Sequence, residues 1–70
     1  MRTFRYNYNS FEVFIDVISE SGEVIANGRF PTVAGAREYY RKDIDYSLAQ
    51  NSLPALTDEE AASCLALIVD

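Results

Sequence analysis

Histidine is absent from this 70-residue chain, cysteine occurs once, and the 6 basic residues are outnumbered by 11 acidic ones. Each shortage excludes something. Structural zinc is held by four ligands drawn from Cys and His, so the single thiol of Cys64 cannot assemble such a site. One cysteine also rules out a disulfide within the chain. With no imidazole there is no ordinary base beside a Ser, Thr or Cys nucleophile. The formal charge of −5 repels phosphate backbones and anionic lipid, which disfavours direct binding to nucleic acid or to a membrane surface.

Long apolar runs are missing too. Nothing approaches the roughly 18 residues of a membrane span, and Met1-Arg2-Thr3-Phe4-Arg5-Tyr6-Asn7 has no apolar segment of a secretory leader behind it. A lone unpaired cysteine suits a reducing compartment, so the expected location is the cytoplasm. Repeats, low-complexity tracts and linkers are absent, and residues 1–70 read as a single compact domain. A domain of this size buries only about 60% of the surface its unfolded chain exposes. With neither disulfide nor metal, it must rely on a well-packed core or on a partner chain. Its apolar fraction, 49%, is ample for the core.

What is present is a strong period-2 pattern. Phe11-Glu12-Val13-Phe14-Ile15-Asp16-Val17-Ile18 alternates, Ser21-Gly22 breaks it, and Val24-Ile25-Ala26-Asn27-Gly28-Arg29-Phe30 resumes it, as a β-hairpin does. Upstream, Phe4, Tyr6 and Tyr8 alternate as well. A two-residue Asn9-Ser10 turn would set Tyr8 against Phe11, Tyr6 against Val13 and Phe4 against Ile15. For the second hairpin, a two-residue Ser21-Gly22 loop pairs Val17 with Ala26, Ile15 with Gly28 and Val13 with Phe30. A three-residue loop with left-handed Gly22 instead pairs Ile18 with Val24 and Val17 with Ile25. The first is preferred, because it sends Phe30 to the core and Arg29 outward.

At Pro31-Thr32 the period changes to helical. Thr32 is a candidate N-cap, and Val33, Ala36, Tyr40, Ile44 and Ser47 or Leu48 form one stripe opposite Glu38, Arg41, Lys42 and Asp45. Gly35 suggests close approach of this helix to the sheet. Thr57-Asp58-Glu59-Glu60 reads as a capping box, with Leu56 and Ala61 as its hydrophobic staple. Ala61, Cys64, Leu65 and Ile68 continue that helix. Leu67-Ile68-Val69 could alternatively make a short strand, and Asp70 opposes a helix C-terminus.

The expected fold is therefore α+β: a three-stranded antiparallel meander over residues 2–9, 11–19 and 23–30, then helices over 33–49 and 57–68 packed on one face. The core face bears Phe4, Tyr6, Val13, Ile15, Val17 and Phe30.

No residue set supports catalysis. Asp58, Glu59 and Glu60 are explained as favourable charge at a helix start, Asp43 and Asp45 lack the rest of a calcium loop, and Cys64 reads as a buried thiol. No cofactor is expected. The outer sheet face is more suggestive. It should display Arg5, Asn7, Glu12, Asp16, Asn27 and Arg29 around Phe14, Ile18 and Ile25, with Ile18 opposite Ile25 and Phe14 one pleat away. An apolar patch rimmed by charge on a water-facing sheet marks an interaction site. Tyr39 and Tyr46, seven residues apart, share a helix flank suited to a protein interface. The expected function is a small acidic, non-enzymatic module that binds and blocks or modulates a protein with a basic site. Inhibitors of host machinery carried by phages and other mobile elements are domains of this type. The alternative is a structural or regulatory homodimer through the outer sheet face.

Overall fold

The computed structural model describes residues 1–69, and Asp70 with its expected effect on a helix terminus lies outside them. Three strands, β1 (Thr3–Tyr8), β2 (Val13–Ile18) and β3 (Val24–Phe30), form an antiparallel sheet in the order β1-β2-β3. Two helices follow, α1 (Val33–Gln50) and α2 (Asp58–Leu67). The α+β order expected from the periodicity is the observed one.

Strand parity explains which face is covered. Val13, Ile15, Val17, Ala26 and Phe30 point to the helices and are all under 5% exposed. Ala36, Ile44 and Leu48 of α1, Leu56, and Ala61, Cys64 and Ile68 close over them. Among the described residues no element lies on the opposite side, so the domain has two layers.

The first turn corrects the expected register, and the second hairpin departs from its preferred one only at the loop end. β1 and β2 pair as Tyr8↔Val13, Tyr6↔Ile15 and Phe4↔Val17, two residues from the expected alignment. The turn is longer because Asn9 builds it: its Oδ1 accepts from the N–H groups of Phe11 (2.8 Å) and Glu12 (2.9 Å). Asn9 N–H in turn donates to the Glu12 carbonyl. Phe11 is thereby removed from the strand and left 84% exposed. A shift of two residues preserves the side-chain faces, so the core pattern survives it.

In the second hairpin the preferred register holds from Val13↔Phe30 to Val17↔Ala26, and then a bulge intervenes. Beyond it Ile18 faces Val24, as in the alternative register, and Gly22 adopts φ +91°, the left-handed conformation that a three-residue loop needs. Ile25 is the residue the bulge leaves over.

Helix ends obey their capping chemistry. Thr32 Oγ1 accepts from Gly35 N–H at 2.9 Å. A Cβ on Gly35 would crowd that hydroxyl rather than the sheet, which corrects the reason for this glycine. The close approach of helix to sheet occurs at Gly28, where a Cβ would lie 2.9 Å from Phe30 Cε2 and 3.4 Å from Ile44 Cγ1. The Thr57–Glu60 capping box is complete. α2 ends at Leu67, and Ile68 (φ −83°, ψ 85°) turns its buried side chain into the core, so residues 67–69 form no strand.

Candidate functional site

The outer sheet face is organised around β2. Phe14 is flanked by Asn7 and Arg29, Asp16 by Arg5 and Asn27, and Ile18 by Thr3 and Val24. Arg29 lies over the Phe14 ring, its guanidinium carbon 5.0 Å from the centroid, and its Nε is 3.2 Å from Glu12 Oε2. Arg5 Nη1 sits 3.8 Å from Asp16 Oδ2. Arg5, Glu12, Asp16 and Arg29 are therefore brought together with Phe14, as two ion pairs that leave the face close to neutral.

The apolar patch differs from expectation. Phe14 and Ile18 are four residues apart on one strand, about 13 Å at the usual rise, and Asp16 stands between them. Ile25 does not join them. The bulge turns it to the other side, where it packs against the core while Val24 takes the place opposite Ile18. The face carries two separated apolar points divided by a polar row, not one continuous patch.

Tyr39 and Tyr46 are 50% and 67% exposed, and the structure places them on the helix layer, away from the outer sheet face. The two expected halves of the site thus lie on different sides of the molecule. Asp43, exposed, falls between the tyrosines, four residues after one and three before the other. Tyr46 is steadied by Gln50, whose Nε2 donates to its hydroxyl at 3.1 Å.

The row 39–43–47–51 descends α1 at i,i+4 spacing and ends on β3. Ser47 Oγ accepts from Asn27 N–H (3.2 Å), and Asn51 Nδ2 donates to the Ile25 carbonyl (3.0 Å). Beside these contacts runs an open groove of about 370 Å³ lined by Val24, Ile25, Ser47, Asn51 and Leu53 among others.

Periodicity missed the ties that hold the layers together. Glu60, expected only as the capping-box acid at a helix start, is 3% exposed. Its carboxylate accepts from Arg2 Nε (2.9 Å), Arg2 Nη2 (2.7 Å), Arg2 N–H (3.2 Å) and Thr57 N–H (3.0 Å). The Arg2 hydrogen bond, chiefly, holds this carboxyl down at about 2, against the desolvation that would raise it. Arg2 also donates to the Pro54 and Ala55 carbonyls. Asp45 and Arg41, expected on a solvent face, bind the α1–α2 connection. Asp45 Oδ1 accepts from Leu56 N–H (2.8 Å), and Arg41 Nη2 reaches Asp58 Oδ1 (2.9 Å). Arg37 Nη1 caps α2 through the Ile68 carbonyl at 2.6 Å. The capping box already accounted for Glu60, so nothing local pointed to its second partner 58 residues away.

Cys64 is fully buried and burial pushes its thiol up to about 11, the reverse of what a nucleophile needs. Compared with protein-family models, curated proteins and solved structures, the chain finds no match in any of the three.

Proposed function

We propose that this chain is a small cytoplasmic binding module, without enzymatic activity, that occupies a basic site on another protein and so blocks or modulates it. An inhibitor of host machinery encoded by a phage or other mobile element would work in this way. The reading is carried by how charge is committed inside the molecule. Arg2 is spent on Glu60, Arg5 on Asp16, Arg29 on Glu12, Arg41 on Asp58, and Arg37 on the carbonyls ending α2. Among the described residues Lys42 alone of the basic side chains has no hydrogen bond or ion pair, whereas Glu23, Glu38, Asp43 and Glu59 have no cationic partner. The charge left to face a partner is acidic. Such a field steers a basic partner into encounter and repels acidic ones.

The homodimer reading draws on Phe14, Ile18 and Val24 standing on a face that no helix covers. The polar row through Asp16 counts against it, because it interrupts the apolar contact a two-fold interface would bury.

Affinity capture followed by titration of the captured partner at about 50 and about 500 mM salt tests the proposal. A partner with a basic surface, bound much more weakly at the higher salt, is the expected result. Binding indifferent to salt refutes it. Light scattering that shows a dimer dispersed by Phe14→Glu would favour the second reading.

A further inference from the structure

Resting on the acidic-module reading, we infer that the partner's basic segment docks at the corner between α1 and the β3 edge. There, Tyr39, Asp43 and Tyr46 bracket an arginine or lysine side chain, and the adjoining groove takes an apolar neighbour of that residue.

Three features of the corner converge on this ligand chemistry. First, two exposed aromatic faces stand about 10 Å apart along the helix, seven residues at 1.5 Å each. Between them the uncommitted carboxylate of Asp43 lies on the side of Ser47 and Asn51, and Lys42 lies on the other side, towards Glu38 four residues before it. Tyrosine faces attract guanidinium and ammonium groups, and a carboxylate beneath supplies the charge-assisted hydrogen bond. Second, the stripe does not end in open solvent. The row 39–43–47–51 leads from Tyr39 and Asp43 into the groove, because Ser47 and Asn51 both line it. Ile25 and Leu53 give that groove apolar walls suited to an aliphatic side chain beside the cation. Glu23, exposed in the adjoining turn, adds acid near its far end.

Third, β3 is an edge strand with its remaining backbone groups on this side. Asn27 N–H and the Ile25 carbonyl point away from β2, since α1 satisfies them. By strand alternation the backbone of Arg29, two residues beyond Asn27, points the same way. An extended segment crossing this corner can bond to Arg29 while its side chains alternate toward α1. The outer sheet face offers no equivalent, because its acidic groups, Glu12 and Asp16, already hold arginines.

The test is titration of the uniformly ¹⁵N-labelled protein with a peptide of six arginines interrupted by one leucine, read by amide shifts and by fluorescence anisotropy at low salt. Shifts should concentrate on residues 24–27, 29 and 39–51. Asp43→Asn should weaken binding about three- to fivefold, and the Tyr39→Ala/Tyr46→Ala double variant about tenfold. Glu59→Gln, on the first turn of α2, should change it less than about twofold. Because these side chains are exposed and Ala favours helix, the variants should melt like the parent, so weaker binding reports the site. Peptide binding whose shifts fall on the outer sheet face or scatter over all acidic turns, or Asp43→Asn no worse than Glu59→Gln, overturns the corner as the site and leaves the acidic-module reading standing. No binding of the peptide to the parent protein overturns both.

Discussion

Protonating or neutralising Glu60 should remove a large part of this domain's stability. Its carboxyl titrates at about 2 in the folded protein against an ordinary 4.5. That displacement corresponds to roughly 3 kcal/mol, at about 1.4 kcal/mol per pH unit. The folded value is the depressed one, so the contribution is complete above about pH 4.5 and drains away as pH falls toward about 2. The group is 3% exposed, so little solvent screening discounts it. A domain of this length has on the order of 4–10 kcal/mol in total, so the loss is a substantial share. Glu60→Gln isolates the charge, because glutamine can still close the capping box onto Thr57. Urea melts of parent and Glu60→Gln between about pH 2 and about pH 7 provide the assay. The two should differ by roughly 3 kcal/mol near neutrality and converge at the acid end. Arg2→Met should be worse than Glu60→Gln at neutral pH, since it strands a buried carboxylate. Parallel pH profiles for parent and Glu60→Gln would refute the assignment of this stability to the Arg2–Glu60 pair.

Gly28→Ala should cost about 1–3 kcal/mol in a urea melt, because the new methyl meets the buried Phe30 ring at 2.9 Å and Ile44 stands behind it. Val13→Glu should unfold the protein by circular dichroism, whereas Phe14→Glu, one residue along on the uncovered face, should fold; equal damage would place Phe14 in the core. Cys64 should resist a thiol reagent in buffer and react fully in urea, since burial both shields it and holds it as the thiol.

Side-chain parity was legible at once, because covering one sheet face forces Val13, Ile15 and Val17 to agree with Ala26 and Phe30. Turn lengths were not. A hairpin slipped by two residues sends every side chain to the same face, so the apolar pattern is blind to the difference between a two-residue turn and the longer one built by Asn9. The bulge defeated the pattern in the other direction. Ile25 has the parity of an outer residue, and only one extra residue in β3 carries it to the core side. The helical stripes of α1 and α2 read correctly because each buries a single face. Arg41 and Asp45 lie off that stripe, and what distinguishes them from solvent-facing charge is the loop α1 happens to meet. The Tyr39–Asp43–Tyr46 arrangement was half visible: the tyrosines stood out, and the acid between them passed as an ordinary helix charge.

The Arg2–Glu60 tie also bears on how the molecule comes apart. It joins residues 58 positions apart, so it closes a loop spanning most of the chain and forms only after both ends have been brought together. The three strands and α1 need no such closure; they pair with neighbours in sequence. α2 is then expected to dock last and let go first, its release uncovering Cys64 and the β1 side of the core together. Amide exchange should divide the molecule along that line, with Ala61 and Cys64 opening as one unit at lower free energy than Val13, Ile15 and Val17. The thiol, silent in the closed form, becomes a reporter of that excursion: its rate of labelling in native buffer measures how often α2 leaves the sheet.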